Sequence, residues 1–187
     1  MATQRPQVDL RRYEKGDYHP GAPLWKQLAW YAVSLLVFRN PWVVSYRLKR
    51  ALLRAFGARV GRDVVIKPSV QIKFPWRLVL DDYCQVGEHV WIDNMAPVHI
   101  GPHATVSQGC YLTTGSHDYT HPHFRLYTAP IVIEAGCWVA ARSVLGPGTH
   151  CGHHSVLLLG SVATGTLEPF GIYRGNPAVK VGERRIG

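Results

Sequence analysis

The chain has 187 residues, enough for one principal fold with a sizeable core and too few for two ordinary domains. Apolar residues make up 47%, and 18 Gly with 13 Pro mark a globular composition rich in turns, which suits many short strands. Lys and Arg outnumber Asp and Glu by 21 to 12, a net charge of +9 that attracts phosphates, acidic glycans, nucleic acid or anionic lipid without selecting among them.

From Met1 to Asp17 the chain is polar and charged, with no apolar segment or small-residue cleavage site of a secretory signal, so a cytoplasmic location is expected. The segment Leu24 to Phe38 (LWKQLAWYAVSLLVF) is strongly apolar, but its length of about 15 residues falls short of the roughly 20 that a spanning helix needs. Residues Leu24 to Phe56 divide at Asn40-Pro41 into two helices, the second bearing Arg47, Lys49, Arg50 and Arg54 among apolar residues. Two uses of this pair stay open: capping the open end of the fold that follows, or peripheral docking on an anionic membrane.

A period of six begins at Val60. Its positions are Val60, Ile66, Ile72 and Leu78, then after a phase slip Leu80, Val86 and Ile92, then after another Ile100, Val106 and Leu112. Beyond an interruption from about Thr114 to Pro130 come Ile133, Val139, Leu145, Cys151 and Leu157, so Cys151 alone is not Ile, Leu or Val. Gly61, Gly87, Gly101, Gly146 and Gly152 directly follow such positions, where a tight turn with left-handed φ is expected. Four residues after each aliphatic position sits a small or branched one, among them Val64, Val70, Cys84, Ala104, Cys110, Cys137, Ser143 and Ser155, with Trp76 the exception. The pattern predicts an all-β solenoid whose short parallel strands stack aliphatic residues inside and small residues at the corners. Cys84, Cys110, Cys137 and Cys151 then read as packing residues, with no Cys-x-x-Cys pair to suggest a metal.

The repeat resembles that of the left-handed β-helix acyltransferases over nearly all of Val60 to Val181. The segment Ile133 to Ala178, ending in Gly-Asn-Pro-Ala, is similar to the closing coils of maltose, galactoside and nodulation O-acetyltransferases. The string LTTGSHDYTHPHF, with FGARVGRDVVIKPSVQIKFPWRL upstream, is similar to acetyltransferases of colanic acid and related exopolysaccharide biosynthesis. The resemblance implies a left-handed parallel β-helix at residues 58–181, preceded by an extension at 1–57 and followed by a tail at 182–187. It also implies a homotrimer transferring acetyl from acetyl-CoA to a sugar hydroxyl, with no metal and no nucleic-acid partner. Rival functions are N-acetylation of an amino sugar or other amine, and a non-catalytic scaffold.

His117 opens the one long interruption of the repeat, the kind of loop that carries function on a rigid scaffold. In the resembled enzymes the histidine of the matching turn is the general base. Asp118 beside it is a candidate to orient the ring, and equally a turn cap. Asp93 matches the acidic position that contacts the acceptor sugar in maltose and galactoside acetyltransferases. Ala141, Gly160, Ser161 and Thr164 match positions along which pantetheine runs, while Arg142, Arg174 and Lys180 are candidate partners for the CoA phosphates. Thr164-Gly165 stands where relatives carry Thr-Lys, which removes one cationic contact. His121, His123, His150, His153 and His154 read as surface or interface histidines.

Overall fold

The structure, a computed structural model, describes residues 7–187. Two α-helices, α1 (Leu24–Val33) and α2 (Tyr46–Ala55), lead into a parallel β-solenoid with three flat faces. A π-helical turn, Ser34–Phe38, extends α1, and Ser45 caps α2 by accepting from the Leu48 N–H at 3.3 Å.

Hexad positions stack on themselves from coil to coil. On the first face the ladder runs Val60, Leu80, Ile100, Ile133, Cys151, Leu167. The second runs Ile66, Val86, Val106, Val139, Leu157, Tyr173, and the third Ile72, Ile92, Leu112, Leu145, Ala163. All but half-buried Val60 are buried, so the stacked coils line each face with apolar side chains, aliphatic except at Cys151 and Tyr173, in a single continuous core. The small positions are buried too, and burial pushes the thiols of Cys84 and Cys110 up to about 12 and about 11, which makes them inert packing groups.

The glycines after the aliphatic positions are needed for a different reason than the sequence suggests. Gly61, Gly87, Gly101, Gly146 and Gly152 do not have positive φ. A Cβ on Gly101 would instead lie 2.8 Å from the Glu134 carbonyl carbon and 2.9 Å from the Ala135 nitrogen, so close approach of the next coil excludes a side chain. Left-handed backbone falls three residues after the aliphatic position, at Asp63, Tyr83, His103, Gly109, Arg142 and Gly160 among others, where each coil turns its corner.

The second helix caps the first coil. Arg54 donates to the Val60 and Gly61 carbonyls at 2.7–3.0 Å, Arg50 to Val64 at 3.0 Å, and Lys49 to Ile66 and Lys67 at 3.3 and 3.0 Å. Trp30 of α1 supplies the third face, its indole N–H meeting the Ile72 carbonyl at 2.8 Å. Strand-edge carbonyls on all three faces thus find donors in the two helices, which answers the edge problem of an open solenoid. Fully buried Lys49 has its pKa pushed down to about 8 by desolvation. At the other end the strand Ala178–Glu183 folds back antiparallel on Gly171–Gly175, so it runs two residues past the expected boundary of the tail. Arg184 docks as well, donating to the Gly136 carbonyl at 2.8 Å.

Candidate active site

The loop that interrupts the repeat is an antiparallel hairpin, Gly115–His117 against Leu126–Thr128, with His117 opposite Leu126. Its base is closed by the Ala129 N–H, 2.9 Å from the Thr114 carbonyl. Thr114 is fully buried, and its hydroxyl donates to the Asp93 carbonyl at 3.0 Å while accepting from the Ala96 N–H at 2.8 Å. One buried threonine therefore fixes both the root of the hairpin and the backbone of Asp93.

His117 is half-buried and held on two sides. Its ring stacks on Phe124 at 4.4 Å, nearly parallel, and meets Tyr13 at 5.8 Å. Nδ1 lies 3.2 Å from the Phe124 carbonyl. A carbonyl can only accept, so a bond there places the proton on Nδ1 and leaves Nε2 with its lone pair free. Ser116, His117, Asp118, Tyr119, Arg125 and Tyr127 surround an open cleft of about 510 Å³.

The carboxylate of Asp118 is engaged elsewhere. It accepts from the Thr120 N–H at 3.0 Å and hydroxyl at 2.6 Å, an Asx turn that also holds its pKa below the usual range. The Phe124 carbonyl, rather than Asp118, meets His117 Nδ1.

The N-terminal arm joins this site, and nothing in the sequence pattern flagged it. Asp9 N–H donates to the Pro122 carbonyl, Glu14 N–H to His123, and the Leu126 N–H donates to the Glu14 carbonyl. The Glu14 carboxylate lies 2.6 Å from His123 Nδ1 and 3.1 Å from Arg125 Nη2, and chiefly the His123 contact holds its pKa low. Among the described residues, Glu14, His121 and His123 are the one group of such donors close enough to share an ion, but Arg125 already supplies a cation to Glu14. His150 pairs with Glu134 at 2.7 Å, and His153 and His154 pack on Phe170.

Asp93 lies on the third face, across from Thr113 in the next coil, and lines a different cavity of about 440 Å³ between that face and α1. Lys73 Nζ is 2.8 Å from its Oδ1, and the Tyr111 hydroxyl is 3.4 Å from Oδ2. The lysine contact is an ion pair without hydrogen-bond alignment, so buried Oδ1 has no donor aimed at it among the described residues. Within one chain, Asp93 and His117 therefore face separate cavities joined through the backbone at Thr114.

Of the remaining candidates, Ala141, Arg142, Gly160 and Ser161 lie at the corner between the second and third faces, and Thr164 at the next corner, between the third and first. Gly160 N–H donates to the Ala141 carbonyl at 3.0 Å, stacking the two corners, and exposed Arg142 turns with φ +58°. A Cβ added at Gly160 would meet nothing, and the same holds at Gly165 beside exposed Thr164, so each of these two corners is open. Ser161 is buried, and its hydroxyl accepts from the Gly175 N–H at 3.0 Å. Lys180 is occupied by Glu168 and Glu183 at 2.7 and 3.2 Å, whereas Arg174 is exposed and forms no ion pair among the described residues.

Six-residue stacking on three faces, a hairpin that holds His117 beside a cleft, and small open corners define a hexapeptide-repeat transferase. No protein-family model matches the chain. WcaF of Escherichia coli (strain K12), named as a colanic acid biosynthesis acetyltransferase, is 42% identical over 155 residues, covering 83% of this chain and 85% of WcaF. The chain belongs to the hexapeptide-repeat acetyltransferases, whose solenoid is the left-handed β-helix, and is an acyltransferase. The galactoside O-acetyltransferase of the same organism is 23% identical over 132 residues, 69% of this chain and 65% of that enzyme. Among solved structures, a Vibrio cholerae hexapeptide-repeat acetyltransferase complexed with acetyl-CoA superposes with a TM-score of 0.80 at 22% identity, over 95% of this chain and 98% of its own. A maltose O-acetyltransferase of Clostridium difficile gives 0.79 at 17% identity, over 97% of this chain and all of its own.

Proposed function

We propose that this protein is an acetyl-CoA-dependent O-acetyltransferase that modifies a sugar hydroxyl during exopolysaccharide or related glycan synthesis, with His117 as the general base. The observation that carries the reading is the Phe124 carbonyl at Nδ1 of His117, which leaves Nε2 as the acceptor of a proton beside an open cleft. The relative named for colanic acid biosynthesis supports the glycan acceptor.

In this mechanism the acceptor hydroxyl gives its proton to His117 Nε2 as its oxygen bonds to the thioester carbonyl carbon. The tetrahedral intermediate collapses by breaking the C–S bond, and the imidazolium returns the proton to the departing thiolate. Thiolate is a good leaving group, so direct transfer needs no acyl-enzyme. The pantetheine arm runs over the small corner at Ala141 and Gly160, where an open edge admits a chain close to the backbone, toward Thr164 at the next corner. Arg142 and Arg174 are free to meet phosphate. Ser161 and Lys180 serve this groove indirectly, by fixing Gly175 and the last strand. Asp93, which lines the cavity beside α1 and whose Oδ2 is met by the Tyr111 hydroxyl at 3.4 Å, receives acceptor hydroxyls. Because it and His117 face different cavities of one chain, the proposed assembly is a homotrimer in which neighbouring subunits complete each site.

Release of CoA thiol from acetyl-CoA, measured across mono- and oligosaccharides and amines, tests the reading. Sugar-dependent release that His117→Ala lowers by 10² or more is expected, the usual worth of a general base. Release only with amines would make it an N-acetyltransferase. Release that survives His117→Ala would remove His117 from the mechanism.

A further inference from the structure

The outer face of α1 is apolar and uncovered. Leu24, Leu28, Tyr31 and Leu35 recur at helical spacing, with Trp25 and Leu36 beside them, and all are exposed at 41–69% of their surface. The opposite face packs Trp30 and Phe38 into the core, so α1 is held firmly with this stripe outward. The turn after it adds Trp42, 90% exposed, and Val44, 65% exposed. Lone exposed apolar residues are ordinary, but a continuous stripe of this size marks an interaction surface.

Charge decides what the surface fits. No Asp or Glu occurs between Asp17 and Asp63, while Lys26, Arg39, Arg47, Lys49, Arg50, Arg54, Arg59 and Arg62 all lie in that stretch. The cap consumes Lys49, Arg50 and Arg54, and Arg62 pairs with Asp82 at 2.7 Å. Arg39, at the end of the helical turn, and Arg47, next to exposed Leu48, are exposed and form no ion pair among the described residues. Arg39 shares a groove with Leu24, Leu28 and Tyr31.

We infer that this face docks on the surface of an anionic lipid bilayer, with Trp25, Leu28, Leu36 and Trp42 entering the headgroup boundary and Arg39 and Arg47 meeting lipid phosphates. The same face of a second copy would set Arg39 and Arg47 against Arg39 and Arg47, which like-charge repulsion opposes, and Trp25, Leu36 and Trp42 lie outside the Asp93 cavity that a neighbouring subunit would complete. No helix among the described residues is long and apolar enough to cross a membrane, so the contact is peripheral. The groove holding Arg39 also reaches Lys73 and Asp93, so docking brings the acceptor-side carboxylate close to the bilayer plane.

The test is co-sedimentation of the full chain with extruded vesicles of phosphatidylcholine, with and without phosphatidylglycerol, alongside its mass by light scattering. Wild type binds the anionic vesicles, more weakly at high salt. The pair Arg39→Gln and Arg47→Gln, or the pair Trp25→Ser and Trp42→Ser, lowers apparent affinity on the order of tenfold or more with the mass unchanged. Absence of binding by wild type, or binding indifferent to both pairs, overturns the inference. A mass that falls when Trp25 and Trp42 are replaced overturns it too, because the face then belongs to a second copy.

Discussion

Replacing Lys49 by Met removes the charge and keeps most of the side-chain volume, so its effect isolates the electrostatics of the cap. At neutral pH two terms oppose each other. The Ile66 carbonyl, on a fully buried residue, loses its donor at a cost of about 1–3 kcal/mol. Relief of a buried ammonium offsets this. A pKa pushed from 10.5 to about 8 corresponds to about 3.4 kcal/mol at about 1.36 per unit, and we take about 2 as its order of magnitude. The net change at pH 7 is therefore close to zero. Above the folded-state pKa the wild-type lysine is neutral but still has N–H groups for both carbonyls. Between about pH 8 and 10.5 the unfolded chain binds more protons at this site than the folded one, so the lysine's contribution to stability rises with pH across that window. The variant lacks this gain, so it is destabilised by about 2 kcal/mol relative to wild type at pH 10. Urea unfolding at pH 7 and pH 10, at fixed protomer concentration, measures the difference while other titrations cancel between the two proteins. A pH-independent difference, or a loss of more than about 3 kcal/mol already at pH 7, would refute the account of Lys49 as a desolvated cap.

Gly101→Ala forces a Cβ to within 2.8–3.0 Å of backbone atoms of the next coil, which cannot move without breaking the ladder, and lowers stability by about 1–3 kcal/mol. Gly165→Ala, with φ +75° but open space around the new Cβ, costs about 1 kcal/mol, and a thermal melt that ranks the two in reverse would be evidence against steric exclusion as the role of Gly101. Glu14→Gln loosens the arm from His123 and Arg125 and lowers turnover with little change in melting temperature, because the contacts lie at the surface and are only half-buried while Tyr13 borders the His117 ring. In wild type that arm contact holds above the ordinary glutamate pKa and is lost as pH falls through the lowered folded value, so activity falls off on the acid side. Turnover equal to wild type at every pH would detach the arm from the site.

The stacked core was legible because a hexad writes its inward positions directly into the sequence. Ile66, Val86, Val106, Val139 and Leu157 were identifiable as one set, and they form one ladder. What separates a close approach from a left-handed turn is invisible at that level, since Gly serves both, and Gly101 with its neighbours in the pattern was assigned the wrong reason. His117 stood out as the histidine that opens the interruption. Its partners did not, because Phe124 acts through a backbone carbonyl that every residue possesses, and Tyr13 arrives from more than a hundred residues away. The basic helix could be read as cap or membrane contact. Distances to the Val60, Val64 and Ile66 carbonyls make it the cap, and leave the apolar outer face of α1 exposed among the described residues.

The hairpin leaves the solenoid at Thr114 and re-enters at Ala129 across a single backbone hydrogen bond, and the coils on either side keep their register, Ile100 to Ile133 and Leu112 to Leu145. The scaffold consequently places almost no constraint on what hangs between those two points. Length, charge and aromatic content of the excursion can drift while the folding of the stack is untouched. Under the proposed mechanism, a graft that keeps Gly115 to His117 and exchanges the rest of the hairpin is a route to redirecting this chain to another acceptor.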